Sequence, residues 1–370
     1  LTSTQLAMST ISIKRIKTDG HEVVFGRHCL AELAEELSAE AYRDVKLFIL
    51  VDENTSKHCL TNLITKVPAT ANAEVIEIEA GEEFKSIEVA SRLWEVLSEL
   101  GADRSSLLLN LGGGVVTDMG GFVAGTFKRG IRFFNLPTSL LAQVDASVGG
   151  KTGINHSKLK NEVGLFNNPL AVYVDPEFLL TLQKNQVLSG FAEMIKHALI
   201  YSPGYWKELK QVSLLDLSSL DDAIYRSIRI KNEIASSDPY ESGRRKILNF
   251  GHTVGHALES FSQESDVKSL LHGEAVAIGV VCEAFISHKA SGLSEGELQE
   301  ITSFIFSLFP KRDLEAYTYH RIIELIRHDK KNRNEKINFS LLTEIGDAVY
   351  DVEVRADLIV ESLNYYQRWV

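Results

Sequence analysis

The segment that most limits what this chain can become is residues 107–122, LLLNLGGGVVTDMGGF. A continuous apolar run of this kind suits a strand buried on both faces, so layers must cover it above and below. Three glycines then end it and lead into a helix-like stretch. Residues 46–51, KLFILV, repeat the apolar run earlier in the chain. From Ile11 to about Val174, short β-rich runs alternate with amphipathic segments, the pattern of a parallel sheet covered by helices. From about Glu177 onward the periodicity becomes helical, as in residues 191–200, 223–234 and 271–288, with one weak strand-like pair near 337–342 and 347–354. The expected fold class is an α/β domain over residues 11–176 followed by a mostly α-helical domain over 177–370, with the boundary near Asp175-Pro176.

Gly112, Gly113 and Gly114 would let backbone amides approach a pyrophosphate, and the following helix N-terminus favours negative charge. The run departs from GxGxxG because Thr117 stands where the third glycine would fall. A tight strand-to-helix turn explains the loop equally well. Asp52 and Asn54 follow the other buried run, where a carboxylate can accept hydrogen bonds from ribose hydroxyls or simply cap a helix. Glu82 and Lys85 stand at helical spacing, for which a solvated ion pair is the plainer reading.

The segment NFGHTVGHALE sets His252 and His256 four residues apart, on one face if helical. His272 in LHGEAVAIG stands at the expected start of a helix, and Glu193 lies in GFAEMIKHAL on an earlier one. Imidazole and carboxylate suit zinc and similar divalent ions, and catalytic sites commonly use three protein ligands. Glu193, His252 and His272 make such a set, with His197 and His256 as competitors. Each histidine taken alone is more often a hydrogen-bonded core residue.

The net charge of −11 and pI near 5.5 leave no broad basic footprint for nucleic acid or an anionic membrane. Any anionic ligand must be held by a local cluster. Lys128, Arg129, Arg132, Lys151, Lys158 and Lys160 lie among glycine turns, and Lys231, Arg244, Arg245 and Asn249 lead into the His252 segment. These suggest a small phosphorylated or carboxylated ligand, against ordinary surface charge, which is the preferred reading for Arg244. SVGGKTGIN fits a P-loop poorly, since Asp145 stands where its first glycine belongs. Lys330 and Lys331 form either a solvated turn or a lid over an anion.

Cys29, Cys59 and Cys282 are widely spaced, which argues against a disulfide framework or thiolate zinc site and makes a reducing cytoplasm the simplest setting. No apolar run approaches the roughly 18 residues of a membrane span. Residues 1–10 read as a cloning remnant or disordered end rather than a signal peptide.

GGGVVTDMGGFVAGTFKRG, PTSLLAQVDASVGGKTGIN, KNEVGLFNNP, GFAEMIKHALI, NFGHTVGHALE and LHGEAVAIG stand in that order in one chain. Together they resemble the sugar-phosphate cyclases, the 3-dehydroquinate synthase family most closely, over about residues 52–331. The resemblance implies a Rossmann-like N-terminal domain, a helical C-terminal domain, an active site in the cleft between them, and commonly a homodimer. It makes Glu193, His252 and His272 ligands of one divalent metal ion, zinc or cobalt. It assigns NAD contacts to Asp52, Asn54, Glu82, Lys85, Gly113, Gly114, Val115, Asp118, Thr138 and Ser139, with Asp145 and Lys160 close to cofactor or substrate. Substrate contacts fall on Lys151, Asn161, Lys196, Lys231, Arg245, Asn249 and His256, plus Lys330 or Lys331, and Arg129 matches an arginine that reaches a neighbouring subunit's substrate phosphate.

The family substrate is a phosphorylated sugar acid, cyclised through transient oxidation by NAD, β-elimination of phosphate, reduction, ring opening and aldol closure. Rival readings are another cyclase, such as 2-deoxy-scyllo-inosose or epi-valiolone synthase, a metal-dependent alcohol dehydrogenase, and a silent NAD-binding protein. Ser139 in place of the usual second Thr, and KNEVGLFNNP in place of the commoner KNLIGAFYQP, alter loop detail and remove no charged contact.

Overall fold

The computed structural model describes residues 13–369 apart from 19, 157–158, 215, 265–268, 315–317 and 329–336. Residues 1–10, Lys158, Lys330 and Lys331 therefore lie outside the described residues. Nine strands come first: β1 (Lys14–Thr18), β2 (His21–Phe25), β3 (Leu47–Asp52), β4 (Glu74–Ile78), β5 (Leu107–Gly112), β6 (Arg132–Pro137), β7 (Lys151–His156), β8 (Leu159–Phe166) and β9 (Ala171–Val174). Seven of them form one sheet in the order β1-β2-β9-β6-β5-β3-β4. Every pairing in it is parallel except β1 with β2.

The two apolar runs lie side by side in the interior of this sheet. All six residues of β5 are buried. Alternate side chains feed opposite layers: Phe48, Leu50 and Leu108 enter one cluster, while Ile49, Val51, Leu107, Leu109 and Leu111 enter the other. Period-two geometry thus makes an unbroken apolar run serve two cores. After β3 the chain runs to β4 at the sheet edge and then returns to β5 on the other side of β3. The loops leaving the carboxyl ends of β3 and β5 consequently diverge, and such a switch point leaves a crevice for a ligand.

The helix Gly114–Thr126 follows β5 and rides close on the sheet. A Cβ on Gly120 would come within 1.9 Å of Asn110 Oδ1, and one on Gly121 within 2.4 Å of Thr152 Cγ2. Close helix-on-sheet packing, normally the task of a third loop glycine, has moved to Gly120, while Gly121 lets β7 approach the same helix. Thr117 is free to turn its hydroxyl back to the Gly113 and Gly114 carbonyls at 3.2 Å. The antiparallel hairpin of β7 and β8 lies against this same helix, so the glycine-flanked basic segment is ordered strand.

After β9 the described elements are helical except for the hairpin of β10 (Asn338–Glu344) and β11 (Asp347–Glu353), the weak pair anticipated from sequence. Three helices form the heart of this region: Lys184–Tyr201, His252–Glu264 and His272–Ala290. They meet at backbone contact because small residues face one another. A Cβ on Gly279 would stand 1.9 Å from Gly251 O, one on Gly255 2.9 Å from Ala275 O, and one on Gly273 2.3 Å from Ser189 Cα. We expect Gly279→Ala to force these helices apart and cost about 1–3 kcal/mol; an unchanged urea midpoint would show that they separate without penalty.

Candidate active site

The close helix packing sets three donor side chains on one point. Glu193 is fully buried, and its Oε1 lies 3.3 Å from His252 Nε2 and 3.2 Å from His272 Nε2. All three donor atoms fall within 4.8 Å of one another. Two ligands about 2.1 Å from a shared cation at tetrahedral or right angles lie about 3.0–3.4 Å apart. Both spacings from Glu193 match, so the residues fit a divalent ion. His252 and His272 are each the first residue of their helices, and His252 Nδ1 faces the Phe250 carbonyl at 3.1 Å. Glu193 Oε2 rests against Lys196 Nζ. Buried though it is, Glu193 stays ionised well below the usual carboxylate range, because Lys196 and the imidazoles outweigh desolvation.

Of the competitors, His197 hydrogen-bonds Ser227 Oγ through Nδ1 at 2.7 Å and faces Asp145 at 3.4 Å through Nε2. Burial lowers its pKa to about 4. It also belongs to a second candidate group with Asp145 and Glu193. His256 lies beside the triad, its ring 5.0 Å from that of His252 and 5.8 Å from that of His272.

Asp145 comes from the segment after β6 and reaches into the helices. Its Oδ1 pairs with Lys231 at 2.7 Å and Lys196 at 3.5 Å. Desolvation opposes its charge, but the two lysines hold its pKa well below the ordinary value. Removing one partner of such a buried pair costs about 3–5 kcal/mol through the charge left behind. The lattice therefore ties the sheet to the helices as well as filling the site.

A second carboxylate, Glu241, sits in a left-handed turn at φ 55°. It contacts Lys151 Nζ and accepts from Asn249 Nδ2 at 2.7 Å. Arg245, almost fully buried, donates to Pro239 O and Gly149 O at 2.8 Å, while its buried Nε has no acceptor among the described residues. Desolvation by the surrounding groups pushes the Lys151 ammonium down to about 8 although its side chain is 46% exposed, with Glu241 resisting and Arg245 assisting.

On the sheet side, Gly113, Gly114, Val115 and Asp118 line a partly open strip at the first turn of the Gly114–Thr126 helix. No side chain caps that turn, which leaves its amides for an anion. Thr138 N bonds Gly112 O at 3.0 Å, and the Ser139 hydroxyl stands 3.4 Å from where a Gly113 Cβ would be. Asp52 does cap the short helix after β3, accepting from Thr55 N at 2.8 Å, and Asn54 is exposed.

The solvated-pair reading of Glu82 and Lys85 is corrected. Lys85 is 3% exposed and pairs instead with Asp118 Oδ2 and Asn161 Oδ1, both at 2.5 Å. Glu82 accepts from Asn155 at 2.9 Å and lies 3.8 Å from Lys160. Arg132 also leaves the basic cluster, because it begins β6 at the far end from the crevice and donates to Ser105 O. Arg244 and Arg129 are exposed, the latter in a left-handed turn at φ 68°, and Arg129 makes no hydrogen bond or ion pair with the other candidate side chains among the described residues.

Sequence reasoning passed over Glu241, Glu259 and Glu283. Glu259 stands seven residues after His252, hence on the same helical face, a spacing that was legible. Glu283 is buried and accepts from Gly251 N and Val254 N at 2.7 and 2.9 Å, clamping the start of the His252 helix. Only the fold reveals it.

A parallel switch-point sheet followed by a helical region is the fold of the sugar-phosphate cyclases. A crystal structure of 2-deoxy-scyllo-inosose synthase complexed with carbaglucose-6-phosphate, NAD+ and Co2+ matches at a TM-score of 0.81 and 24% identity, covering 96% of this chain and 99% of that one. The 2-epi-5-epi-valiolone synthase of Streptomyces hygroscopicus, with NAD+ and Zn2+ bound, matches at 0.80 and 24% over the same shares. Residues 75–189 match the 3-dehydroquinate synthase N-terminal family and residues 190–332 the C-terminal family. A 3-dehydroquinate synthase of Parabacteroides distasonis is 44% identical over 348 residues, 94% of this chain and 98% of that relative. The chain belongs to the 3-dehydroquinate synthase family, and with it is an enzyme.

For the metal triad, His272→Ala is expected to abolish stoichiometric retention of added zinc or cobalt, while His197→Asn retains it. Metal analysis after gel filtration decides, and the reverse result would move the site to the group around Asp145.

Proposed function

We propose that this chain catalyses the reaction that names its family, converting 3-deoxy-D-arabino-heptulosonate 7-phosphate to 3-dehydroquinate and phosphate, a carbon–oxygen lyase step of the shikimate pathway towards aromatic amino acids. The observation that carries this reading is the Glu193, His252 and His272 triad set close to a cluster of cationic and amide donors, the buried Lys231 and Arg245 with the more open Lys151 and Asn249. The NAD+ and Co2+ or Zn2+ in the two cyclase structures support the same pair of cofactors here. When bound, NAD supplies a reversible hydride acceptor and the divalent ion a Lewis acid for substrate hydroxyls. The redox state is unchanged over the cycle.

The triad would hold the ion, and Asp52, Asn54, Glu82, Lys85, Gly113, Gly114, Val115, Asp118, Thr138 and Ser139 would hold NAD along the crevice between β3 and β5. Lys151, Asn161 and His256 orient the phosphate for elimination, while Lys231, Arg245 and Asn249 receive the substrate carboxylate. The unpaired Arg245 Nε suits that anion. Lys196 and Asp145 keep the pocket's charges fixed before substrate arrives, so little reorganisation is needed. Exposed Arg129 would complete the phosphate site of a second subunit, which implies a homodimer. Free, buried cysteines at 29, 59 and 282 accord with the cytoplasm.

Incubation with the heptulosonate phosphate, catalytic NAD and zinc or cobalt is expected to release phosphate and dehydroquinate stoichiometrically. No phosphate release, or net NADH from simple alcohols, would overturn the assignment. The depressed Lys151 pKa sets a pH limit as well. Its cation is present below about 8 and is lost as pH rises through that value, so kcat/KM should fall on an alkaline limb near 8. Lys151→Arg keeps its charge and should remove that limb while lowering kcat/KM; a limb that persists unchanged excludes Lys151 as its source.

A further inference from the structure

Both imidazoles of the triad need a bare Nε2 to bind a metal, and a neutral ring carries one proton on one of its two nitrogens. For His252 the main chain settles the matter, because Phe250 O lies 3.1 Å from Nδ1. His272 has a side chain in that place. Glu259, 3% exposed on the His252–Glu264 helix, sets its Oε2 3.3 Å from His272 Nδ1, opposite the Nε2 that faces Glu193. Its other oxygen accepts from Lys160 Nζ at 2.6 Å, and that ammonium lies 3.8 Å from Glu82.

We infer that Glu259 is a positioning residue of the metal site: it accepts a hydrogen bond from Nδ1–H of His272, leaving Nε2 bare and turned towards the ion, while Lys160 holds its second oxygen. This rests on the proposal that Glu193, His252 and His272 hold the ion. Two observations support it beyond distance. First, both carboxylate oxygens are engaged by different elements, so the group is gripped from the helix side and from the β7–β8 hairpin. Second, the arrangement requires two acceptors on one group. A glutamine of the same shape offers only one, and its amide N–H would face either the Lys160 ammonium or the His272 N–H, donor against donor. Outer carboxylates of this kind orient ligating histidines, and their loss weakens metal binding about 10–100-fold.

The test is chelator competition for zinc and cobalt on the metal-stripped, full-length protein. Glu259→Gln is expected to raise the metal Kd about 10–100-fold, while circular dichroism stays that of the parent. In the zinc-loaded parent, 15N NMR, with His272 assigned by its loss in His272→Ala, should show Nδ1 protonated and Nε2 bound. Parent-like affinity in Glu259→Gln, together with loss of metal in His272→Ala, overturns the role of Glu259 and leaves the triad standing. Parent-like affinity in His272→Ala overturns the triad itself. Should Glu259→Gln fail to fold, the NMR experiment decides alone: an unprotonated His272 Nδ1 overturns the inference. The same spectrum excludes Glu259 and Nδ1 of His272 as joint ligands in the alternative group with His256.

Discussion

The ionised carboxylate of Glu193, sunk completely into the helical region, is the constraint on which the rest of the site depends. An isolated charge there would be prohibitively costly, and the group would take up a proton instead. The surroundings prevent this: Lys196 meets one oxygen, two imidazoles meet the other, and Asp145 in turn steadies Lys196 and Lys231. Each charge is tolerable only because the next is present. That interdependence explains why helices from separate stretches of chain must meet at backbone distance, and why glycine occupies 251, 255, 273 and 279. The packing exists to let short side chains converge.

A parallel α/β region followed by helices was legible in the sequence, because the buried strands β3 and β5 carry apolar runs that have no exposed face. The Glu193, His252 and His272 set was legible as a list of residue types, and their convergence was not, since no periodicity relates three separate helices. Charge was harder to read. Lys85 looked like a surface residue because a lysine three positions from a glutamate on one turn usually is one; its partners, Asp118 and Asn161, lie far along the chain. Arg132 was grouped with other bases by proximity in sequence, although a strand carries its ends to opposite sides of the sheet. The carboxylates of Glu241, Glu259 and Glu283 passed unnoticed for the same reason. Acids are common on surfaces; burial distinguishes Glu259 and Glu283, and contacts with Lys151 and Asn249 distinguish the part-exposed Glu241.

The relocated glycine is a smaller instance of the same logic. A dinucleotide-type loop needs close contact between helix and strand, and the fold obtains it at Gly120, one turn beyond the usual place. Matching letters to a fixed spacing fails here, while asking where a Cβ cannot fit succeeds.

Glu241 carries a last consequence. Its carboxylate contacts Lys151 and accepts from Asn249, so on the proposed reading an incoming anion would replace one negative partner of these donors with another. A neutral sugar offers these donors only hydroxyl acceptors, weaker partners for a cation than the carboxylate they would leave. On that reading the pocket would select by competition, its own glutamate setting the threshold that a ligand's charge must exceed.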